Sequence, residues 1–81
     1  MAKKLDLSVY AKTAAKIKTT RLDLGLTQET VAAALGMNRV AYSNLENCKR
    51  KVMVSDVLKL MEFYGVRWAD LVDFSEQGGL K

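Results

Sequence analysis

The amino-acid sequence predicts an all-α domain built from five short helices. Apolar residues recur at spacings of three and four along most of the chain, and glycines stand at the ends of these segments. The longest strand-like run covers only residues 52–54. With 81 residues, of which 49% are hydrophobic, the chain has the size and composition of one globular domain.

The first predicted helix covers residues 8–24. Ser8 is a suitable N-cap, because its hydroxyl can accept a hydrogen bond from the first turn. Gly25 can end the helix in a left-handed conformation. The residues before this helix, 1–7, are predicted to form a flexible basic arm. The side chains that share one helix face are Tyr10, Ala14, Ile17 and Arg21.

The second and third predicted helices, at 27–35 and 38–47, lie very close together in the sequence. Thr27 and Asn38 are suitable N-caps, and Gly36 ends the second helix. Only the turn at 36–38 separates the two helices. Two short helices joined by a glycine-containing turn of this length are typical of a helix-turn-helix, here at 27–47.

The fourth helix is predicted to begin at residue 53 or 54 and to end at Tyr64, with Met53 and Ser55 as alternative N-caps. Its expected apolar stripe consists of Val54, Val57, Leu58, Met61 and Tyr64. A fifth helix is predicted over 67–74, and the glycine-containing tail at 75–81 is expected to be frayed. The folded domain is therefore expected to span residues 8–74.

Composition excludes several classes of site. Because the sequence has no histidine and one cysteine, it lacks the parts of a Ser-His-Asp triad, a Cys-His dyad, a disulfide framework and a metal cluster. We therefore expect no enzyme activity, cofactor, metal or small-molecule ligand. No signal peptide and no run of about 18 apolar residues is present, so the sequence predicts no membrane contact and a cytoplasmic location.

The net charge of +4 is distributed unevenly along the chain. Residues 1–21 have six basic and one acidic residue, and residues 39–51 have four basic and one acidic residue. Residues 22–38 have two acidic residues and no basic one, and residues 52–81 have five acidic and three basic residues. The two basic blocks favour a polyanionic partner for the first and third helices, whereas the last part of the chain has no electrostatic reason to approach one.

A series of residues at fixed spacing runs through residues 17–72. It consists of Ile17, Arg21, Gly25-Leu26-Thr27-Gln28-Glu29, Val31-Ala32, Leu35-Gly36-Met37, Tyr42, Leu45-Glu46, Val57-Leu58, Leu60-Met61, Tyr64-Gly65-Val66 and Asp70-Leu71. This pattern resembles the Cro/phage-repressor-type helix-turn-helix family, which includes small phage repressors and the controller proteins of restriction–modification systems. The resemblance implies a five-helix, lambda-repressor-like domain that binds double-stranded DNA and regulates transcription.

The resemblance also implies roles for individual residues. The third helix would enter the major groove as the recognition helix, with bases read by Arg39, Val40, Ser43 and Asn44. Phosphates would be contacted by Gln28, Asn38, Asn47, Lys49, Arg50 and Lys51. For each of these positions, the alternative is an ordinary solvated side chain. Arg21 and Glu46 would pair in a salt bridge that holds the third helix to the first.

The loop after the recognition helix departs from the family pattern at three positions. Cys48 stands where family members usually have glycine, Val52 where they have proline, and Met53 where they have a serine cap. Because asparagine tolerates the left-handed conformation, we expect the exit from the third helix at Asn47.

The fifth helix is the predicted surface of a homodimer that binds a symmetric operator. We expect its own domain to be too small to bury all of its apolar side chains, which are Trp68, Leu71, Val72 and Phe74. A tightly packed fifth helix in a monomer is the alternative. A competing function is an antitoxin-like or adaptor module that binds another protein, and contacts with RNA polymerase or with a toxin are left open.

Overall fold

The computed structural model describes residues 10–72, and these residues form five α-helices. The helices are α1 (Ala11–Asp23), α2 (Gln28–Leu35), α3 (Arg39–Glu46), α4 (Val54–Tyr64) and α5 (Trp68–Leu71). No strand occurs between residues 10 and 72, and the prediction of an all-α fold is confirmed. The predicted cap Ser8, the arm at 1–7, Phe74 and the tail at 75–81 lie outside the described residues.

Side-chain caps determine where the two helices of the helix-turn-helix begin. Thr27 Oγ1 accepts a hydrogen bond from the backbone N–H of Thr30 at 3.1 Å, and Asn38 Oδ1 accepts one from that of Ala41 at 2.8 Å. Between the helices Gly36 is left-handed, with a φ of 75°, and this ends α2. The chain therefore turns within three residues and places α3 against α2, as the sequence predicts.

Aspartates at the third helical position determine the starts of α4 and α5. The backbone N–H of Met53 donates to Asp56 Oδ2 at 3.4 Å, and that of Arg67 donates to Asp70 Oδ2 at 2.9 Å. A carboxylate in the first turn also interacts favourably with the helix dipole. Met53, rather than Ser55, is therefore the N-cap of α4.

The hydrophobic core lies where all five helices meet. Its largest fully buried side chains are Ile17, Val31, Tyr42, Leu45, Leu60 and Leu71. Helix α1 packs against α3, α4 and α5, and α2 packs against α3 and α4. One face of α3 is thus fixed in the core, and its other face is directed away from the remaining helices.

The buried face of α4 differs from the predicted stripe. Val57 and Tyr64 are buried as expected, and Leu60, which was left out of the stripe, is also fully buried. Val54 and Leu58 were expected in the core but are 62% and 52% exposed. The prediction was wrong for these two residues because α4 has apolar side chains on two adjacent faces, and only packing against α1 and α2 selects one of them.

Helix α5 is shorter than predicted and is part of the core. It ends at Leu71, and Val72 is already extended, with φ −112° and ψ 119°. Leu71 and Val72 are only 0% and 9% exposed within this one chain. These two side chains of the predicted dimer surface are therefore covered within their own domain, because α5 packs against both α1 and α4. Trp68, at 37% exposure, is the described residue of the predicted dimer surface that remains accessible.

The left-handed residue at the end of helix α3 is Cys48 and not Asn47. Asn47 has a φ of −91°, whereas Cys48 has a positive φ of 59°. This conformation allows the N–H of Cys48 to donate to the carbonyl of Leu45 at 3.2 Å and that of Lys49 to donate to Asn44 at 2.8 Å. The prediction of Asn47 was wrong because the left-handed position lies one residue beyond the C-cap.

We expect Cys48→Gly to raise the melting temperature of the protein. A side chain in the left-handed region costs about 1–2 kcal/mol, and the greater flexibility of glycine in the unfolded chain offsets part of the gain from removing it. The net gain of about 0.5–1 kcal/mol corresponds to a rise of about 2–8 °C, measurable by thermal denaturation followed by circular dichroism. Cys48→Ala is the control, because it keeps the Cβ atom and should not produce this rise. A lower melting temperature for Cys48→Gly would contradict the assignment of strain to this residue.

Candidate nucleic-acid interface

The outward face of α3 contains the side chains that were predicted to read bases. Arg39 and Val40 are exposed, and Ser43 and Asn44 are half-buried. The opposite face of the helix is fixed, because Tyr42 and Leu45 are fully buried. An eight-residue helix with one anchored face and one polar, basic face has the shape that enters a major groove about 12 Å wide.

A buried ion pair joins α3 to α1. Arg21 Nε donates to Glu46 Oε2 at 2.5 Å, and Arg21 Nη2 donates to Glu46 Oε1 at 3.2 Å. The two side chains are only 10% and 1% exposed. Arg21 Nη1 also donates to the carbonyl oxygen of Leu26 at 2.8 Å, in the turn before α2. This two-point contact restrains both the position and the rotation of α3, because a guanidinium and a carboxylate are planar groups.

The pair stays charged over the ordinary pH range. Burial by itself would raise the pKa of Glu46, but hydrogen bonds from Arg21, Tyr42 and Gln28 outweigh burial and lower the pKa below the usual value of a glutamate. The hydrogen bond to Glu46 likewise raises the pKa of Arg21. Glu46 is therefore an anion at neutral pH although it is almost completely buried.

Two tyrosine hydroxyls complete the buried network. Tyr42 donates to Glu46 Oε2 at 2.5 Å, and Tyr64 donates to the carbonyl oxygen of Ile17 at 3.2 Å. Burial raises the pKa of both phenols, and the hydrogen bond to Glu46 raises that of Tyr42 further. The four-residue spacing between Tyr42 and Glu46 on one helix is the signal that points to their contact.

Gln28 connects the buried pair to the exposed end of α3. Its Nε2 donates to Glu46 Oε1 at 3.1 Å, and its Oε1 accepts from Arg39 Nη1 at 3.4 Å. Arg21, Glu46, Gln28 and Arg39 thus form one chain of polar contacts across α1, α2 and α3. Gln28 was predicted as a phosphate ligand, and in this structure its carboxamide braces the first residue of α3.

The remaining predicted phosphate ligands lie at the two ends of α3. Asn38 precedes the helix. Its carboxamide oxygen accepts the hydrogen bond that caps α3, and its NH₂ group takes no part in the cap. Asn47 is exposed and donates through Nδ2 to Ser43 Oγ at 3.3 Å. In the loop that follows, Lys49 and Lys51 are exposed and Arg50 is half-buried. Two residues, Asn47 and Cys48, separate these three cations from the C-terminus of α3.

Lowering the pH is expected to destabilise the protein through Glu46. Since its pKa is lower in the folded state than in the unfolded state, the unfolded chain binds more protons, and stability is lost as pH falls. The melting temperature should be nearly constant between about pH 7 and pH 5 and should fall below about pH 4.3, the ordinary pKa of a glutamate. In Glu46→Gln the melting temperature should fall less steeply with acid than in the wild type. In Glu62→Gln, which alters an exposed carboxylate, it should fall as steeply as in the wild type. An equally steep decline in Glu46→Gln would argue against Glu46 as the cause of the lost stability at low pH.

Residues 10–72 show no sign of two other classes of site. No helix in this part of the chain is both long enough and apolar enough to cross a membrane. The same residues contain no cluster of three or more histidine, cysteine, aspartate or glutamate side chains arranged to hold a metal ion.

Helix α2, the turn at 36–38 and α3, with a basic and polar outer face on α3, define a helix-turn-helix protein. The helix-turn-helix family profile matches residues 17–71. The cryptic phage CTXphi transcriptional repressor RstR of Vibrio cholerae is 38% identical over 61 residues, which cover 75% of this chain and 55% of that protein. The crystal structure of a hypothetical transcription factor, NHTF, from Neisseria has the same fold, with a TM-score of 0.72 and 24% identity, and the match covers 100% of this chain and 95% of the other.

The chain belongs to the Cro/phage-repressor-type helix-turn-helix family. The chain spans 55% of the length of the RstR repressor.

Proposed function

We propose that this chain is a transcriptional regulator that binds an operator sequence with α3 in the major groove of DNA. The observation that carries the proposal is the exposed, basic N-terminal face of α3, held in a fixed orientation by the buried Arg21–Glu46 pair. A rigid helix positions its side chains against base edges with little loss of conformational entropy on binding. In this proposal the protein acts on DNA in the cytoplasm.

Base sequence is read by the outer face of α3. Arg39 bonds guanine O6 and N7 together, and Val40 contacts a thymine methyl group. Asn44 forms hydrogen bonds with adenine or with a phosphate. Ser43 forms a hydrogen bond with a donor or an acceptor on a base edge. The contact between Arg39 and Gln28 supports the assignment of Arg39, because it restrains a long and otherwise mobile side chain.

Phosphates are held on both sides of the recognition helix. Gln28 and Asn38 lie next to helix N-termini, where free backbone N–H groups favour anions. After α3, Asn47 adds a neutral hydrogen bond, and three consecutive cations add charge, namely Lys49, Arg50 and Lys51. Contacts of this kind position the protein without selecting a base.

Two copies of the chain bind together, on half-sites about 34–36 Å apart, because one helix-turn-helix reads only half of a symmetric operator. Since Leu71 and Val72 are buried within one chain, the interface requires other apolar side chains. The stripe of Val54, Leu58 and Met61 on successive turns of α4 is suited to this role. Val54 and Leu58 are exposed, and Met61 is half-buried.

Sedimentation velocity tests the dimer. Leu58→Lys should convert the protein to a monomer, because it places a charge in the centre of the apolar stripe. Leu22→Lys is the matched control, since Leu22 at 56% exposure is as accessible as Leu58 at 52% but lies on α1. Equal dissociation of both variants, or of neither, would rule out this surface as the interface.

DNA binding at graded salt concentration tests the function itself. An interface with several phosphate contacts predicts that the logarithm of the affinity falls with the logarithm of salt concentration, with a slope of about −0.9 per contact. Selection from a random DNA pool should also return one preferred sequence with two-fold symmetry. A flat salt dependence without a preferred sequence would overturn the proposal and would favour a protein-interaction module.

A further inference from the structure

An apolar cleft lies between α1, α5 and the start of α4. Its volume is about 240 Å³, and it is formed by Tyr10, Thr13, Val52, Val54, Trp68 and Val72, among others. Helix α1 contributes one wall, α5 another, and the segment that leads into α4 forms the third. Trp68 is 37% exposed and Val54 is 62% exposed, so the cleft presents apolar side chains to water.

The size and chemistry of the cleft favour an aromatic side chain as its occupant. Ligand pockets for small molecules usually measure about 300–1,000 Å³ and contain several convergent polar groups. This cleft is smaller, and of the six side chains named above only those of Tyr10, Thr13 and Trp68 have a polar atom. Aromatic rings bury a large apolar area and pack well at the edges of other rings, which Tyr10 and Trp68 supply.

We propose that Phe74 of the same chain fills this cleft. The described residues end at Val72, which lines the cleft itself, so the nine residues that follow begin at the cleft wall. Val72 is extended, and in an extended chain the side chains of residues i and i+2 lie on the same side. If the backbone continues in this conformation for two residues, Phe74 lies on the side on which Val72 meets the cleft.

Two other occupants compete for the cleft. The first described residue, Tyr10, also lines it, which makes Leu7 a candidate from the other end of the chain. However, the backbone of Tyr10 is helical, with φ −97° and ψ −6°, and it therefore sets no alternating direction toward the cleft. A second copy of the protein is the other competitor, and it differs from Phe74 in depending on protein concentration.

The fluorescence of Trp68 measures coverage of the cleft directly, because it is the single tryptophan of the chain. In the full-length protein, Phe74→Ala should shift the emission of Trp68 to longer wavelength and remove its protection from acrylamide quenching. Phe74→Leu should retain part of both, since leucine is apolar but smaller. Phe63→Ala is the matched control, because Phe63 is the only other phenylalanine and is 42% exposed on α4. It should leave the emission unchanged, and circular dichroism should show the same helix content in all variants.

Three results would overturn the proposal. Unchanged emission in Phe74→Ala would mean that Phe74 does not cover Trp68. A shift caused by Leu7→Ala and not by Phe74→Ala would assign the cleft to the other end of the chain. Loss of Trp68 protection on dilution of the wild-type protein would assign it to a second copy. Protection that is independent of concentration and is lost only with Phe74 supports the proposal.

Discussion

Replacing Glu46 with alanine is expected to lower the free energy of unfolding by about 3–5 kcal/mol, the usual cost of breaking a buried ion pair on one side. The variant leaves Arg21 as a charge that is only 10% exposed and has lost its carboxylate. It also removes the acceptor of the hydroxyl of Tyr42 and of the amide of Gln28. Because 1 kcal/mol corresponds to about 4–8 °C in a domain of this size, the melting temperature should fall by more than about 12 °C.

Thermal denaturation of Glu62→Ala provides the comparison, since Glu62 lies exposed on α4 and its removal should change the melting temperature little. A second comparison is the double variant Arg21→Met with Glu46→Leu. This variant replaces both charges by apolar groups and should be more stable than Glu46→Ala alone, because no buried charge is left without a partner. If Glu46→Ala has the same melting temperature as the wild type, the pair does not hold α3 to the domain.

The limits of the helices were predictable wherever a local signal decides them. Thr27 and Asn38 each have a side-chain oxygen that can reach a backbone N–H in the next turn, and both do so. Gly36 and Gly65 are left-handed at the ends of α2 and α4, where few other residues adopt that conformation at low cost. These features involve residues that are close in sequence, and sequence patterns describe such features well.

The register of α4 was not predictable for a physical reason. Leu58 and Leu60 have the same hydrophobicity and the same helix propensity, yet one is 52% exposed and the other is fully buried. The choice depends on which side of α4 packs against α1 and α2, which is a property of the assembled fold. Cys48 illustrates the same limit, because hydrogen bonds to two carbonyl groups of α3 hold it in a conformation that its residue type disfavours.

The candidate site was predictable as a set of residues but not as a network. The pairing of Arg21 with Glu46 and the exposure of Arg39 follow the pattern of the family. The contacts made by Gln28 depend on the distance between α2 and α3, which no sequence spacing specifies. The structure therefore adds a physical link between the stability of the core and the orientation of the outer face of α3.

Arg39→Ala is expected to change which DNA sequences the protein prefers without changing its stability. A bidentate contact between arginine and guanine contributes about 1–3 kcal/mol of discrimination, so one position of the selected sequence should lose its preference. The melting temperature should remain that of the wild type, because Arg39 is exposed and its 3.4 Å contact with Gln28 lies at the surface. The base preferences of the wild type and Arg39→Ala are compared by selection from a random DNA pool with each protein. Affinity measurements on single-base variants follow.

Lys49→Ala is the matched control for this experiment, since it also removes one exposed cation close to α3. It should weaken binding to all sequences about equally and reduce the salt slope by about 0.9. The two variants together separate base reading from phosphate contact, because loss of charge alone would affect both proteins in the same way. An unchanged base preference in Arg39→Ala would mean that α3 does not present this residue to a base, and the orientation proposed for the recognition helix would then be wrong.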